Sequence, residues 1–168
     1  MPLKTLHDLY VSELKDLYSA ENQLVKALPK MANAASSPEL ATAFTDHLEE
    51  TKAQIERLEK IFSELEVSPK GKKCKAMAGL LQEGKEVMEE EADPSVMDAA
   101  LVSAAQRVEH YEMAGYGCVR TYARLLGFEK AADLLQQTLD EEGAADKKLT
   151  DLAESVINAE AVEPAETT

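Results

Sequence analysis

Apolar residues recur every three or four positions through four long segments of this chain, which is the spacing of an amphipathic α-helix. The segments predict long helices at about residues 3–34, 38–65, 95–126 and 129–158. A shorter helix is predicted at about residues 74–91, between breaks that contain Pro69 and Pro94. Residues 159–168 offer nothing to bury and are predicted to form a disordered acidic tail, so that residues 1–158 make up a single domain.

The connections between the helices predict how they are arranged. Short turns at Ser37–Pro38 and at Gly127 join the first helix to the second and the third to the fourth, so each pair is expected to form an antiparallel hairpin. About thirty residues, including the short helix, separate the second helix from the third. Two hairpins joined by one long crossover predict an all-α, ferritin-like antiparallel four-helix bundle. The composition agrees, because the chain has only 7 Gly and 6 Pro and no Trp.

The net charge of the chain limits the kinds of partner that it is expected to bind. It has 32 Asp and Glu against 18 Lys and Arg, a formal net charge of −14, which argues against binding to nucleic acids or anionic membranes. No apolar run is long enough to span a membrane, and the first residues do not resemble a secretory signal. A cytoplasmic location is therefore expected, with Cys74 and Cys118 as free thiols.

Several carboxylates stand at positions of the apolar stripes that should face the core. Glu21, for example, is spaced from the surrounding leucines of the first helix by the same steps of three and four residues. An isolated ionised carboxylate in an apolar interior is costly enough that it normally protonates, pairs or binds a metal. Converging acids would also repel one another, which a multivalent cation relieves. The stripe acids are Glu21 in the first helix, Glu109 and Glu112 in the third, and Glu142 and Asp146 in the fourth.

The second helix is expected to complete the site through His47, Glu50 and Gln54, which lie at i, i+3 and i+7. The apolar stripe of this helix is expected to run through Leu48, Thr51 and Ile55, so Thr51 is more central than Glu50, which would have to lean inward. The pattern leaves three roles open for His47: a metal ligand, a hydrogen-bond partner of a ligand, or a surface residue. It also leaves open which glutamates among residues 109, 112, 141 and 142 bind the metal. The predicted ligands are Glu21, Glu50, Glu109, Glu112, Glu142 and Asp146, with His47, Gln54 and Tyr116 as further candidate ligands or hydrogen-bond partners of ligands.

Five stretches of sequence carry a family resemblance. They are LYSAENQL (17–24), HLEETKAQIERLEKIF (47–62), CKAMAGL (74–80), VEHYEMAGYG (108–117) and LDEEGAADKKL (139–149). These stretches resemble the YciE/YciF family over about residues 3–157. The resemblance implies a ferritin-like fold and a bacterial protein associated with stress responses. The family has no established reaction, so the resemblance leaves the chemistry open.

The set of acids also resembles the di-iron site of rubrerythrin-type ferritin-like proteins. The resemblance lies in one Glu on each of the first two helices, Glu-x-x-Glu on the third, and a Glu followed four residues later by a further ligand on the fourth. The rubrerythrin-type site also has histidines in the second and fourth helices, where this chain has Ala53 or Gln54 and Asp146. Carboxylates alone favour harder ions such as manganese, magnesium or calcium, so this departure should lower the affinity for a transition metal.

The leading functional hypothesis is a two-metal carboxylate protein of the bacterial stress response that binds iron or manganese. Glu50 and one carboxylate of the third or fourth helix would bridge the metals, with oxygen or peroxide as the small-molecule substrate. An acid network linked by protons, Gln54 and Tyr hydroxyls could occupy the same place instead. The alternative function is non-catalytic: a stress-induced structural or assembly protein whose polar core sets the helix register. A homodimer formed through a helical face is expected in either case.

Overall fold

The computed structural model describes residues 3–162, and regular structure within this range is entirely helical. None of the described helices is long and apolar enough to cross a membrane. The helices are α1 Leu6–Ala34, α2 Pro38–Glu64, α3 Lys75–Glu89, α4 Pro94–Leu125, α5 Glu129–Leu152 and α6 Asn158–Val162, with a π-helical segment, Ala153–Ile157, between the last two.

Local side-chain chemistry explains where the helices begin and end. Thr5 accepts a hydrogen bond from the backbone N–H of Asp8, whose carboxylate accepts one from the N–H of Thr5, so the pair forms a capping box. Ser37 caps α2 immediately before Pro38 at the first helical position. Gly127 follows α4 with φ +80°, a conformation in which a side chain would be strained.

The helices pack as the connections predict. α1 pairs with α2 and α4 pairs with α5, while α1 also packs against α4, and α2 against α5. Glu21 of α1 contacts Tyr116 of α4, whereas Ser36, just beyond the end of α1, contacts Asp98 near the start of α4, so the two helices are antiparallel. The crossover helix α3 packs on the outside of the bundle against α1 and α4. The predicted ferritin-like four-helix bundle with an extra crossover helix is confirmed.

The core consists of two apolar clusters separated by a polar layer. One cluster contains buried residues such as Leu28, Phe44 and Leu149, and the other contains Tyr10, Phe62, Leu135 and their neighbours. In each of the four bundle helices, buried polar residues stand between the positions that enter the two clusters. This polar layer consists of Glu21, His47, Thr51, Gln54, Glu109, Glu112, Thr138 and Glu142.

The buried face of α2 differs from the predicted stripe. Leu48 and Ile55 were expected to face the core, but both are only half-buried, whereas His47 and Gln54 are buried. Seven of the nine buried positions of α2 follow alternating steps of four and three residues, the spacing of a helix that presents one face to its neighbours along its length. They are Leu40, Phe44, His47, Thr51, Gln54, Leu58 and Ile61.

The end of the last helix also differs from the expectation. Helical structure extends to Val162 through the π-helical segment and α6, so residues 159–162 of the predicted tail are helical. The rest of that tail, residues 163–168, lies outside the described residues.

Candidate metal centre

Four buried side chains converge in the polar layer. His47 of α2, Glu109 and Glu112 of α4, and Glu142 of α5 each place one potential ligand atom within 4.8 Å of the others. The Nε2 atom of His47 lies 3.2 Å from Oε1 of Glu109 and 3.6 Å from Oε2 of Glu142. We call these four residues the central group. The structure thus brings three of the predicted acids together with His47, and the group could hold a metal ion.

Glu21 lies in the same layer, on α1. It is fully buried, and its Oε1 atom accepts a hydrogen bond from the hydroxyl of Tyr116. Burial, followed by the negative charge of Glu142, raises the pKa of Glu21 to about 8. The hydrogen bond from Tyr116 acts in the opposite direction because it stabilises the ionised carboxylate. Glu21 is therefore electrostatically linked to the central group.

The polar layer leaves many of its own atoms without hydrogen bonds. Nothing within residues 3–162 makes a hydrogen bond of acceptable geometry to eight nitrogen and oxygen atoms of the layer. Buried polar atoms normally have partners, and each one left without costs about 1–3 kcal/mol. Atoms that are buried and unpaired in this way are what a cation would coordinate. They are Oε2 of Glu21, Nε2 of His47, Oε1 of Gln54, Oε2 of Glu109, and both carboxylate oxygens of Glu112 and Glu142.

The buried acids of the layer also raise one another's pKa values, an effect that a bound cation would oppose. The pKa values of Glu109 and Glu112 are raised well above 4.5, first by burial and then by neighbouring acids of the layer. Burial alone would lower the pKa of His47, but the hydrogen bond with Glu50 and the charge of Glu142 outweigh it and raise that pKa. Without a cation, these acids therefore retain protons at a pH where exposed glutamates have lost them.

Two predicted ligands, Glu50 and Asp146, lie outside the polar layer. Glu50 has a half-exposed side chain and contacts Nδ1 of His47 at 3.1 Å rather than leaning into the layer. Asp146 accepts a hydrogen bond of 3.2 Å from Gln106 and lies 3.3 Å from Nε2 of the exposed His110. Asp146 lies one turn beyond Glu142, about 6 Å further along the axis of α5.

An ion pair that the sequence did not reveal borders the layer. Arg57 donates two hydrogen bonds of 2.7 Å to the carboxylate of Glu141 and a third, of 3.0 Å, to Thr138. Burial on its own would raise the pKa of Glu141, but the hydrogen bond and charge of Arg57 lower it. Glu141 is thus paired with Arg57. Of the two candidate glutamates on α5, Glu141 and Glu142, it is Glu142 that belongs to the central group. Residues on different helices form this pair, so no local spacing indicates it.

A pocket of about 130 Å³ leads to the central group between α2 and α5. His47 and Glu109 lie in its wall, together with small residues that include Ala43 and Ala145. The charged residues of its wall are Asp46, Glu50 and Lys148, and Lys148 donates a hydrogen bond of 3.2 Å to Asp46. The imidazole of His47 therefore bonds to the half-exposed Glu50 on one side and faces the buried acids on the other.

The two cysteines are free, and neither belongs to the central group. Cys74 is buried, as expected for a core residue, and its sulfur accepts a hydrogen bond of 3.4 Å from the backbone N–H of Met77 at the start of α3. The sulfur also lies 3.1 Å from the hydroxyl of Tyr111, which donates a hydrogen bond to Asp16. These contacts attach the crossover helix to the bundle.

Comparison with known proteins identifies relatives over nearly the whole chain. A family model described as "Domain of unknown function (DUF892)" matches residues 5–162. The sequence is 51% identical to Protein YciF of Escherichia coli (strain K12) over 162 residues, which cover 96% of this chain and 98% of that protein.

Solved structures extend the comparison to the fold. The crystal structure of the E. coli stress protein YciF matches with a TM-score of 0.89 at 51% identity, covering 92% of this chain and 98% of that one. YcfI from Rhodopseudomonas palustris, whose description suggests a structural protein, matches with a TM-score of 0.85 at 45% identity over 88% of this chain and 94% of its own. A protein from Xanthomonas campestris pv. campestris shares the fold, with a TM-score of 0.73 at 21% identity over 92% of this chain and 95% of its own. The chain belongs to the DUF892 family and is a relative of the stress protein YciF.

Proposed function

We propose that this protein is a two-metal carboxylate protein of the bacterial stress response and that it binds iron or manganese. The observation that carries the proposal is the set of eight buried polar atoms of the layer that lack hydrogen-bond partners among residues 3–162. The relation to the stress protein YciF supports the biological context.

A metal and a network of shared protons would use the same oxygens. Glu109 and Glu142, and likewise Glu112 and Glu21, lie close enough to share a proton, and a bound metal would take the place of those protons. The donor set also fits iron or manganese. Carboxylates suit hard ions, and the imidazole of His47 adds a ligand that suits transition metals. His47 therefore supplies an imidazole from the second helix, in which Ala53 or Gln54 stands in place of the histidine of rubrerythrin-type sites.

The surrounding residues would hold and orient the ligands. The contact between Nδ1 of His47 and Glu50 leaves Nε2 directed at the buried acids, as in the carboxylate–histidine–metal arrangements of many metalloproteins. The hydroxyl of Tyr116 holds one oxygen of Glu21 and leaves the other free to bind. In this assignment Glu50 orients a ligand rather than bridging two metals.

A bound iron or manganese ion would supply redox chemistry towards oxygen or peroxide. The pocket between α2 and α5 has a volume of about 130 Å³, which admits a molecule of that size and excludes a large organic substrate. Its wall carries the carboxylates of Asp46 and Glu50, which would attract a cation on its way to the central group. The cytoplasmic location and the homodimer remain predictions.

The second candidate function is structural. YcfI, whose description suggests a structural protein, shares 45% of its residues with this chain. A polar layer between two apolar clusters would fix the relative register of the helices, since sliding one helix would bury polar groups against apolar ones. In this case the layer would need no metal, and replacing its acids with neutral residues would stabilise the protein.

Metal analysis of the purified protein tests the proposal. We expect stoichiometric iron or manganese in the wild type and loss of that metal in Glu142→Ala. Asp146→Asn is the matched control, because Asp146 lies one turn further along α5 and outside the central group. It should retain the metal. A wild type that takes up neither ion under reducing conditions, together with a higher melting temperature for Glu142→Gln, would favour the structural function. If metal is present, consumption of hydrogen peroxide separates a catalyst from a structural metal site.

A further inference from the structure

Gln54 is a fully buried amide whose two ends have different environments. Its Nε2 atom donates a hydrogen bond of 3.2 Å to Oε2 of Glu141, whereas its Oε1 atom has no partner among the described residues. Gln54 lies on α2 in the polar layer, seven residues after His47 on the same face. An amide oxygen without a partner in such a place is as unusual as the free carboxylate oxygens around it.

The neighbouring ion pair determines which way this amide faces. Arg57 holds both oxygens of Glu141 at 2.7 Å, so Glu141 is an ionised carboxylate and can only accept hydrogen bonds. The amide NH₂ of Gln54 must therefore face Glu141. Its carbonyl oxygen is directed away from Glu141 and is buried without a partner among the described residues.

We propose that Gln54 supplies a neutral oxygen ligand to the metal site, and that the pair of Arg57 and Glu141 positions it by presenting its carbonyl oxygen. This inference rests on the proposed function. The ligand serves an ion other than the one beside His47. Seven residues of helix separate Gln54 from His47 by about 10 Å along the axis, which places the two side chains at opposite ends of the layer.

Charge explains why an amide suits this position better than another acid. Glu21, Glu109, Glu112 and Glu142 carry four negative charges when ionised, which balance two divalent cations. A fifth buried carboxylate would leave one charge uncompensated in a site of low dielectric constant. An amide oxygen adds a donor atom without adding charge. Glu141, the nearest acid, is already neutralised by Arg57.

Cobalt(II) binding provides the test, because its visible absorption reports the number and type of ligands. Full-length protein is stripped of metal and titrated with Co²⁺, and wild type is compared with Gln54→Leu and with Gln54→Met, which keeps the length of the side chain. Thr51→Val is the matched control: Thr51 is buried in the same layer, but its hydroxyl donates to the carbonyl of His47 at 2.8 Å. Both Gln54 variants are expected to fold, because each loses only one polar group from a layer that lies between two apolar clusters.

We expect two Co²⁺ ions in the wild type. In both Gln54 variants one of them should bind about tenfold more weakly or worse, with stronger visible bands as its coordination number falls. Thr51→Val should match the wild type. Glu141→Gln should weaken the same ion to a smaller extent, because an amide at position 141 no longer forces the orientation of Gln54.

The outcomes separate this inference from the function on which it rests. Two tightly bound ions with an unchanged spectrum in both Gln54 variants would overturn the inference and leave the proposed function intact. A Glu141→Gln variant identical to wild type would overturn the positioning role of the ion pair. A wild type that binds no Co²⁺, Mn²⁺ or Fe²⁺ would overturn both the inference and the two-metal function.

Discussion

His47 and Glu109 meet across the bundle, with Nε2 of the histidine 3.2 Å from Oε1 of the glutamate. They belong to α2 and α4, which occupy opposite corners, since each packs against both α1 and α5 rather than side by side with the other. A contact between opposite corners runs through the centre of the bundle, where both residues are buried. A metal bound in the layer would therefore lie beside a histidine and a glutamate that meet at the centre of the core.

Replacing His47 should impair metal binding without unfolding the protein. We expect His47→Ala to lower the affinity for Mn²⁺ or Fe²⁺ by about tenfold to 100-fold, because it removes a ligand and its link to Glu50. Isothermal titration calorimetry of the metal-free protein measures this change. His110→Ala is the control, because 68% of the His110 side chain is exposed and it lies outside the central group. Equal affinities for the two variants would contradict a ligand role for His47.

Glu112→Gln should change stability in opposite directions in the metal-free and metal-bound states. Glu112 is fully buried among acids, so a neutral amide should stabilise the metal-free protein by about 1–2 kcal/mol. With metal bound, the same change should be destabilising because a charged ligand is lost. Thermal unfolding with EDTA and with excess Mn²⁺ measures both effects. A stabilisation that is the same in both conditions would indicate a polar layer that has no metal role.

The stability of the metal-free protein should fall as pH rises from about 5 to 8. The pKa of Glu21 is about 8 in the folded protein against a usual value of 4.5, so between these values the folded state keeps a proton that the unfolded state releases. Each such group lowers the free energy of unfolding by up to about 1.4 kcal/mol per pH unit in this range. Glu109 and Glu112, whose pKa values are also raised, act in the same direction.

Melting temperatures of EDTA-treated protein across this pH range provide the measurement. Added Mn²⁺ should raise the melting temperature more at pH 8 than at pH 5, because the metal must displace the retained protons. A Glu21→Gln variant should show a shallower fall with pH. A metal-free melting temperature that rises steadily towards pH 8 would contradict the raised pKa values.

Filling the pocket between α2 and α5 should slow metal uptake. Ala145 lines the pocket beside His47, so Ala145→Leu adds bulk in a space of about 130 Å³. We expect a slower rate of Mn²⁺ loading in stopped-flow measurements with little change in the amount bound at equilibrium, since the ligands are untouched. Ala114→Leu, at an exposed position of α4, is the control. Unchanged loading in Ala145→Leu would show that ions enter by another route.

The spacing of apolar residues along the chain explains which features of this protein could be predicted from its sequence. The spacing of apolar residues located the four bundle helices and the crossover helix, and the lengths of the connections predicted their topology. The same spacing indicated that Glu21, Glu112 and Glu142 are buried, because each occupies a position that a leucine could take. It failed for α2, where the predicted stripe through Leu48 and Ile55 is one position away from the buried face. A helix with apolar residues on two adjacent stripes does not specify its own rotation.

The sequence by itself determined the helices, their order in the bundle, and a layer of acids on their inner faces, because these follow from local spacing and chain connectivity. Only the tertiary structure decided which side chains meet in that layer. It brought His47 in beside Glu109, left Glu50 at the half-exposed edge, turned Asp146 towards Gln106, and set Arg57 against Glu141. These outcomes depend on how each helix is rotated against its neighbours, and that rotation is a property of the packed bundle rather than of any single helix.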